Sequence, residues 1–218
     1  MQPSPISTAT QAVTKDRILD AAEALFSDKG FDATSLRMIT AVAKVNLAAV
    51  NYHFQSKEAL LHAVYARRAE PVNRRRLELL SAYEGSAEIL EVEPILDAFM
   101  RPLFEIGESR ECIPRLMVRL LYLDSNETSR KVFEKHFMTV FHRFQQAMRR
   151  ALPHLSEQEL ALRMQFVIGS LAHTMAGTKN LQILSKAGIE PVRCRTTLWQ
   201  LIHFAAAGLR APVSEEAS

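Results

Sequence analysis

Apolar residues recur along this chain at the spacing of a helix. Ile18, Ala21, Ala22, Leu25 and Phe26 fall at i, i+3, i+4, i+7 and i+8, one stripe that predicts a helix over 15–29. Thr14 is placed to cap its start. Gly30 stands where a left-handed C-terminal cap is wanted, with Phe31 folding back on the last turn. Thr34 or Ser35 can cap a second helix, 35–42, with Leu36, Ile39 and Val42/Ala43 turned inward. After a break at Lys44-Val45, Asn46 can cap a third, with Leu47, Val50 and Phe54 on one face. Ser56 precedes a long pattern from 57 to about 83, in which Pro71 is expected to kink or split the helix. Residues 84–93 read as a linker or weak helix. Further helical patterns cover 94–107, 111–124, 127–151, 157–182 and 190–210. Ser156-x-x-Glu159 forms a capping box, and Pro94 and Pro191 fit first-turn positions. The pattern contains no internal repeat and no convincing strand. The expected fold is all-α, a small N-terminal three-helix head with a helix-turn-helix and a larger C-terminal helical body.

Composition narrows the classes. The 218 residues are 48% hydrophobic and 23% charged, the balance of a chain that buries a core. Its 7 glycines, at 30, 85, 107, 169, 177, 188 and 208, are too scattered for a G-x-G-x-x-G or P-loop phosphate cradle. Cys112 and Cys194 match no metal spacing and read as incidental thiols of a reduced, cytoplasmic protein. Residues 1–13 carry neither a charged nor an apolar signal region and read as a disordered tail, as do 212–218. No apolar run is long enough for a membrane span. No cofactor and no metal site is expected.

The net charge of +3 is unevenly spread. Residues 1–56 hold five basic and five acidic groups, 57–76 six and two, and 77–218 sixteen and seventeen. From 33 to 57 there are three cations, Arg37, Lys44 and Lys57, and no acid. A surface that meets phosphates has to lack carboxylates, which repel at short range. The third helix adds a face of small and amide side chains. Ala48 and Ala49 let the backbone approach the major-groove floor and can touch thymine methyls. Asn51 and Asn46 carry amides that pair with adenine. Tyr52 and His53 can reach phosphate at the end of that helix, Ser35 and Arg37 lie on the preceding one, and Lys57 begins the next, beside free backbone N–H groups.

The run from Thr34 to Leu60, with Ala43-Lys44-Val45-Asn46 at its turn and Tyr52-His53-Phe54-Gln55-Ser56-Lys57-Glu58 at its end, resembles the DNA-binding head of TetR-family transcriptional regulators. The upstream Ile18-Leu19-Asp20-Ala21-Ala22-Glu23, Leu25-Phe26 and Gly30-Phe31 match that family's first helix. The chain departs from the family's usual pattern at Lys44 and Ala48, where Gly is common, and at Asn51, where Tyr is. The string from Val45 to Phe54 is similar to the PsrA-type branch, whose members respond to fatty acids or their coenzyme A thioesters. The resemblance implies a double-stranded DNA operator, a homodimer and a small hydrophobic ligand. It divides the chain into a DNA-binding head at 14–62 and a ligand-binding and dimerisation body at 63–211.

A dimer places two recognition helices roughly 34–36 Å apart and reads a palindrome. The last two helical patterns are the candidates for its interface, through Phe166, Leu171 and Met175 on the first and Trp199, Ile202 and Phe204 on the second. Phe99, Leu103, Phe104, Met117, Leu120, Leu121, Phe137 and Phe141 are large, soft side chains that can line an apolar cavity. His173, like Arg119 and His142, lies beside these stripes and can meet a carboxylate or thioester. A ligand would act by shifting the population away from the DNA-competent dimer, through the helix around Pro71. The expected activity is that of a repressor, with a regulator of efflux or stress genes sensing a drug-like compound as the alternative. More distant alternatives are an enzyme, for which the sequence offers no nucleophile–base set, and a membrane-surface protein, through Arg67, Arg68, Arg74, Arg75 and Arg76. No membrane partner is expected.

Overall fold

The computed structural model of the chain describes residues 5–105, 116, 126–176 and 194–213. These form eight helices: α1 (Pro5–Lys29), α2 (Leu36–Ala43), α3 (Leu47–Phe54), α4 (Lys57–Ser86), α5 (Val92–Glu105), α6 (Glu127–Ala151), α7 (Glu157–Ala176) and α8 (Cys194–Arg210). The fold is all-α, as the periodicity predicts. Contacts divide the chain into two compact units. One is Met1–Glu70 with Arg115–His136, the other Pro71–Pro114 with Phe137–Ser218. The expected helix at 111–124 lies outside the described residues, apart from helical Leu116.

In the first unit α1 packs on α2 and α3, and α2 on α3. Ile18, Ala22, Phe26, Ile39, Val50 and Phe54 are buried there, with Leu60 and Val64 of α4. Burying each of these side chains other than Ala22 contributes about 1.5–3 kcal/mol. Gly30 sits at φ 84 and donates its N–H to the Phe26 carbonyl, the left-handed stop that α1 needs. Phe31 then returns to Phe26, ring centroids 5.9 Å apart. Thr34 does not cap α2. Its buried hydroxyl donates to the Gly30 carbonyl at 2.7 Å, and Ser35 takes the capping role.

Helix α1 begins at Pro5, ahead of the start expected at Thr14. Proline at a first helical position needs no N–H partner, and no breaker intervenes before Thr14. Gln11, Ala12 and Val13 are exposed, so this extension carries no stripe from which to read it. Helix α4 runs unbroken through Pro71, and the expected split does not occur.

In the second unit α8 packs on α5 and α7. Its core joins Leu80, Ile95, Leu96, Met100, Phe144, Met148, Leu160, Met164 and Ala206. Ser156 caps α7 by accepting the Glu159 N–H at 3.2 Å. The Glu159 carboxylate does not close the capping box; it accepts from Arg163 Nε at 2.8 Å. Arg163 itself is buried and donates Nη1 to the carbonyls of Leu209 and Ala211 at 2.9 and 2.6 Å, satisfying the orphan end of α8. No described helix is long and apolar enough to cross a membrane.

Candidate nucleic-acid interface and small-molecule site

The starts of α2, α3 and α4 are each built on a cap. The Ser35 hydroxyl accepts the Met38 N–H at 3.2 Å, Asn46 Oδ1 accepts from Ala49 at 2.8 Å, and the Ser56 hydroxyl accepts from Ala59 at 3.0 Å. All three caps are uncharged. Lys44 closes α2 in the left-handed region, φ 52 and ψ 47, with its N–H on the Ala41 and Thr40 carbonyls. That conformation favours glycine, and a lysine holds it here. Gln55 has φ 64 and ψ −42, and Ser56 N–H donates across it to Phe54 at 2.7 Å, a γ-turn that separates α3 from α4.

Helix α3 buries Val50 and Phe54 and exposes Ala48, Asn51 and Tyr52. Ala49 and His53 are half-buried, and the His53 ring meets Tyr52 edge-on at 5.1 Å. Ser35, Arg37, Lys44 and Asn46 are exposed around it. Lys57 is half-buried, its ammonium 4.2 Å from the centre of the Phe31 ring. The head therefore places nine of the ten residues expected to meet DNA on its second and third helices and the turns that bound them, and the tenth, Lys57, at the start of α4.

Two inward assignments are corrected. Leu47 is 44% exposed and Val42 56%. Of the pair Val42/Ala43 it is Ala43, at the very end of α2, that is buried, and on α3 the buried positions are Val50 and Phe54. Leu47 thereby joins the exposed face of α3, an apolar side chain suited to thymine methyl groups. Arg17 of α1 was not foreseen in any role. Its Nη2 donates to the carbonyls of Ala43 and Lys44 at 2.5 and 3.0 Å.

The basic run in α4 is largely spent inside the protein. Arg67 pairs with Asp20 and with Glu23, and Arg68 Nε reaches Glu23 at 2.9 Å. Glu23 is only 3% exposed. Burial opposes the Arg67 charge, but the hydrogen bonds to Glu23 and Asp20 outweigh it and raise the pKa. Arg76 is buried, Arg75 pairs with Glu78, and Arg74 and Arg75 are exposed. A five-arginine membrane-facing patch is not formed.

In the second unit Phe99 is buried in the core of α5, with Leu103 and Phe104 packed against the same core. The Phe99 and Phe144 rings meet at 5.1 Å. Phe137 is buried and Phe141 half-buried on α6. His173 and His142 are exposed and do not enter an apolar site. Met117, Leu120, Leu121 and Arg119 lie outside the described residues. Among the described residues no three His, Cys, Asp or Glu side chains converge to hold a metal.

The expected dimer residues divide. Phe166, Trp199 and Phe204 are exposed, at 62, 56 and 69%, and Leu162 joins them one turn before Phe166. Trp199 stacks on His203 at 5.2 Å. Leu171 and Ile202 are instead buried within the same chain, and Met175 is half-buried against that core. They face the neighbouring helices of their own unit and leave the exposed face to the other residues.

Residues 18–64 match bacterial regulatory proteins of the tetR family, and residues 97–208, half of the chain, match the tetracyclin repressor-like C-terminal domain. The HTH-type negative transcriptional regulator IcaR of the biofilm operon icaADBC in Staphylococcus aureus is 44% identical over 46 residues, 21% of this chain and 25% of its own length. The chain spans about a quarter of the length of the curated relatives it matches. Among solved structures, the fatty acid degradation regulator FadR from Bacillus halodurans aligns with a TM-score of 0.60 at 16% identity, over 97% of this chain and 100% of that one. The ketosteroid transcriptional regulator KstR2 of Mycobacterium tuberculosis aligns with a TM-score of 0.62 at 14% identity, over 89% and 93%. These structural likenesses are of fold. With its capped helix-turn-helix and both family segments in order, the chain belongs to the TetR family of DNA-binding transcriptional regulators.

Proposed function

We propose that the chain works as a homodimeric repressor, released from a palindromic operator by a small apolar ligand held in the body at 63–211. The observation that carries the DNA side is the outer face of α3. It exposes Ala48, Asn51, Tyr52 and Leu47, buries Val50 and Phe54, and lies in a segment without acids between 33 and 57. In this reading Asn51, Ala48 and Ala49 read base edges, while Ser35, Arg37, Lys44, Asn46, Tyr52, His53 and Lys57 fix the head on phosphates. The exposed Phe166, Trp199 and Phe204 supply the apolar face on which two protomers meet.

The proposed ligand class, a fatty acid or its coenzyme A thioester, is supported by the large apolar side chains Phe99, Leu103, Phe104, Phe137 and Phe141 of this part and by the resemblance to fatty-acid-responsive regulators. A ligand that binds the DNA-free form more tightly withdraws the repressor by population shift. Helix α4, continuous from Lys57 to Ser86, is the covalent path between head and body.

Selection of bound duplexes from a random pool tests the reading. The expected result is a palindrome whose half-sites are about one helical turn apart, released on titration with fatty acid or acyl thioester. A pool without an enriched palindrome overturns the DNA assignment; an operator affinity indifferent to both ligands overturns the ligand assignment.

A further inference from the structure

Arg76, on α4 in the second unit, is 6% exposed. Its Nε donates to the Phe99 carbonyl at 2.7 Å and its Nη1 to Asn73 Oδ1 at 3.2 Å. The guanidinium carbon lies 4.1 Å from the centre of the Phe99 ring. A guanidinium has five N–H donors and no acceptor. Two of the five are engaged here, both on neutral oxygens.

Arg76 differs in this from its peers. Among the described residues, every other arginine that is buried or half-buried has a carboxylate: Arg67 and Arg68 have Glu23, Arg143 has Glu84, and Arg163 has Glu159. No described carboxylate pairs with Arg76. Burial without a counter-charge pushes its pKa down to about 9. A buried cation without a described counter-charge is costly to the folded chain; its remaining nitrogen, Nη2, is not sealed from solvent, and an anion arriving there relieves that cost.

The surroundings select the rest of the anion. Phe99 covers one face of the guanidinium, and Leu103 and Phe104 continue the apolar surface one turn further along α5. We propose that Arg76 is the anion-holding residue of the small-molecule site, taking the carboxylate of an apolar acid whose hydrocarbon lies along Phe99, Leu103 and Phe104. The inference rests on the ligand-responsive reading above and sharpens it: the free acid, charged at the guanidinium, is the ligand, rather than a thioester with a neutral carbonyl there.

Calorimetric titration of the full-length chain without DNA tests this, using decanoate and 1-decanol, which share a chain length and differ in charge. Wild type is expected to bind decanoate at least about tenfold more tightly than decanol, the strength of a charge-assisted pair. Arg76→Gln keeps a donor for the Phe99 carbonyl, so decanoate should weaken about tenfold and decanol stay unchanged. Arg76→Lys keeps the charge without the fork and should fall between them; it also decides the matter alone if Arg76→Gln does not fold. Absence of decanoate binding, equal binding of the two probes by wild type, or an undiminished preference in a folded variant overturns the inference. Operator binding then still stands. Conversely, Arg76-dependent decanoate binding that never releases operator leaves this site in place and overturns the ligand-responsive reading.

Discussion

Arg17 holds Lys44 from 27 residues away: its Nη2 donates to the Lys44 carbonyl at 3.0 Å while also reaching Ala43. These are the orphan carbonyls at the end of α2. The first helix therefore fixes the turn that aims α3. Arg17→Met should lower stability by about 1 kcal/mol, the worth of a modest charged hydrogen bond, and weaken operator binding without changing the selected motif. Thermal melts and anisotropy titrations at several salt concentrations check it. An unchanged melt with a salt slope reduced by about one would instead mark Arg17 as a phosphate contact.

Lys44 itself holds a left-handed backbone that glycine adopts without cost. Lys44→Gly should raise the thermal midpoint by about 2 °C, a net gain on the order of 0.5–1 kcal/mol in a chain of this size. Lys44→Ala keeps the strain and should show no gain. Both should lose the same increment of operator affinity, because both lose the ammonium.

Asn51 and Lys57 should separate base reading from phosphate holding. Asn51→Ala should relax preference at one base position, at a cost of about 1–3 kcal/mol on the preferred operator. Lys57→Ala should weaken all sequences alike, reduce the salt slope by about one, and cost about 0.5–1 kcal/mol of stability from its contact with Phe31. Selected motifs for the two variants decide this; an identical motif for Asn51→Ala removes Asn51 from direct readout.

The exposed face of α7 and α8 makes a contrasting pair. If the proposed dimer forms through this face, Phe166→Glu should convert it to monomer in sedimentation equilibrium and leave the melt nearly unchanged. Leu171→Ala, inside the core, should cost about 2–5 kcal/mol and leave the subunit contact intact while the chain is folded. A dimeric Phe166→Glu would exclude this face from the interface.

His62 Nδ1 and His136 Nε2 lie 3.3 Å apart. Burial pushes both imidazoles below the usual 6.5; the Lys135 charge adds to this for both, His62 adds to it for His136, and Glu70 opposes it there. The unfolded chain then binds protons more readily than the folded one just below pH 6.5. Stability from this pair is therefore complete above that pH and lost as the solution is acidified through the depressed folded values. Melts between pH 7.5 and 5 should fall, and His136→Gln should flatten the fall. Parallel curves for the two proteins would assign the acid sensitivity elsewhere.

The sequence carried the helices through spacing and caps: Gly30, Ser35, Asn46 and Ser56 each stop or start an element where their local chemistry allows. Phase alone does not carry burial at element ends: of Val42/Ala43 only Ala43 is buried, and Leu47 is exposed. Periodicity also says that a face is apolar without saying what covers it. Leu171 and Ile202 face their own core, while Phe166 and Trp199 on the same helices face outward. The arginines of α4 were countable from sequence, but their partners were not, because Glu23 and Asp20 lie 44 to 47 residues away. For the same reason sequence could not say that Arg76 meets neutral oxygens, with no carboxylate partner among the described residues.

The three caps of the head have a further consequence. Serine, asparagine and aspartate serve about equally at an N-cap, so folding is nearly indifferent between them. Ser35, Asn46 and Ser56 are the neutral choices at all three starts. An exchange of Asn46 for aspartate would alter neither shape nor hydrogen bond, yet it would set a fixed negative charge beside the reading helix. With uncharged caps at all three starts, the face proposed to meet the operator carries no fixed negative charge from its own helix ends.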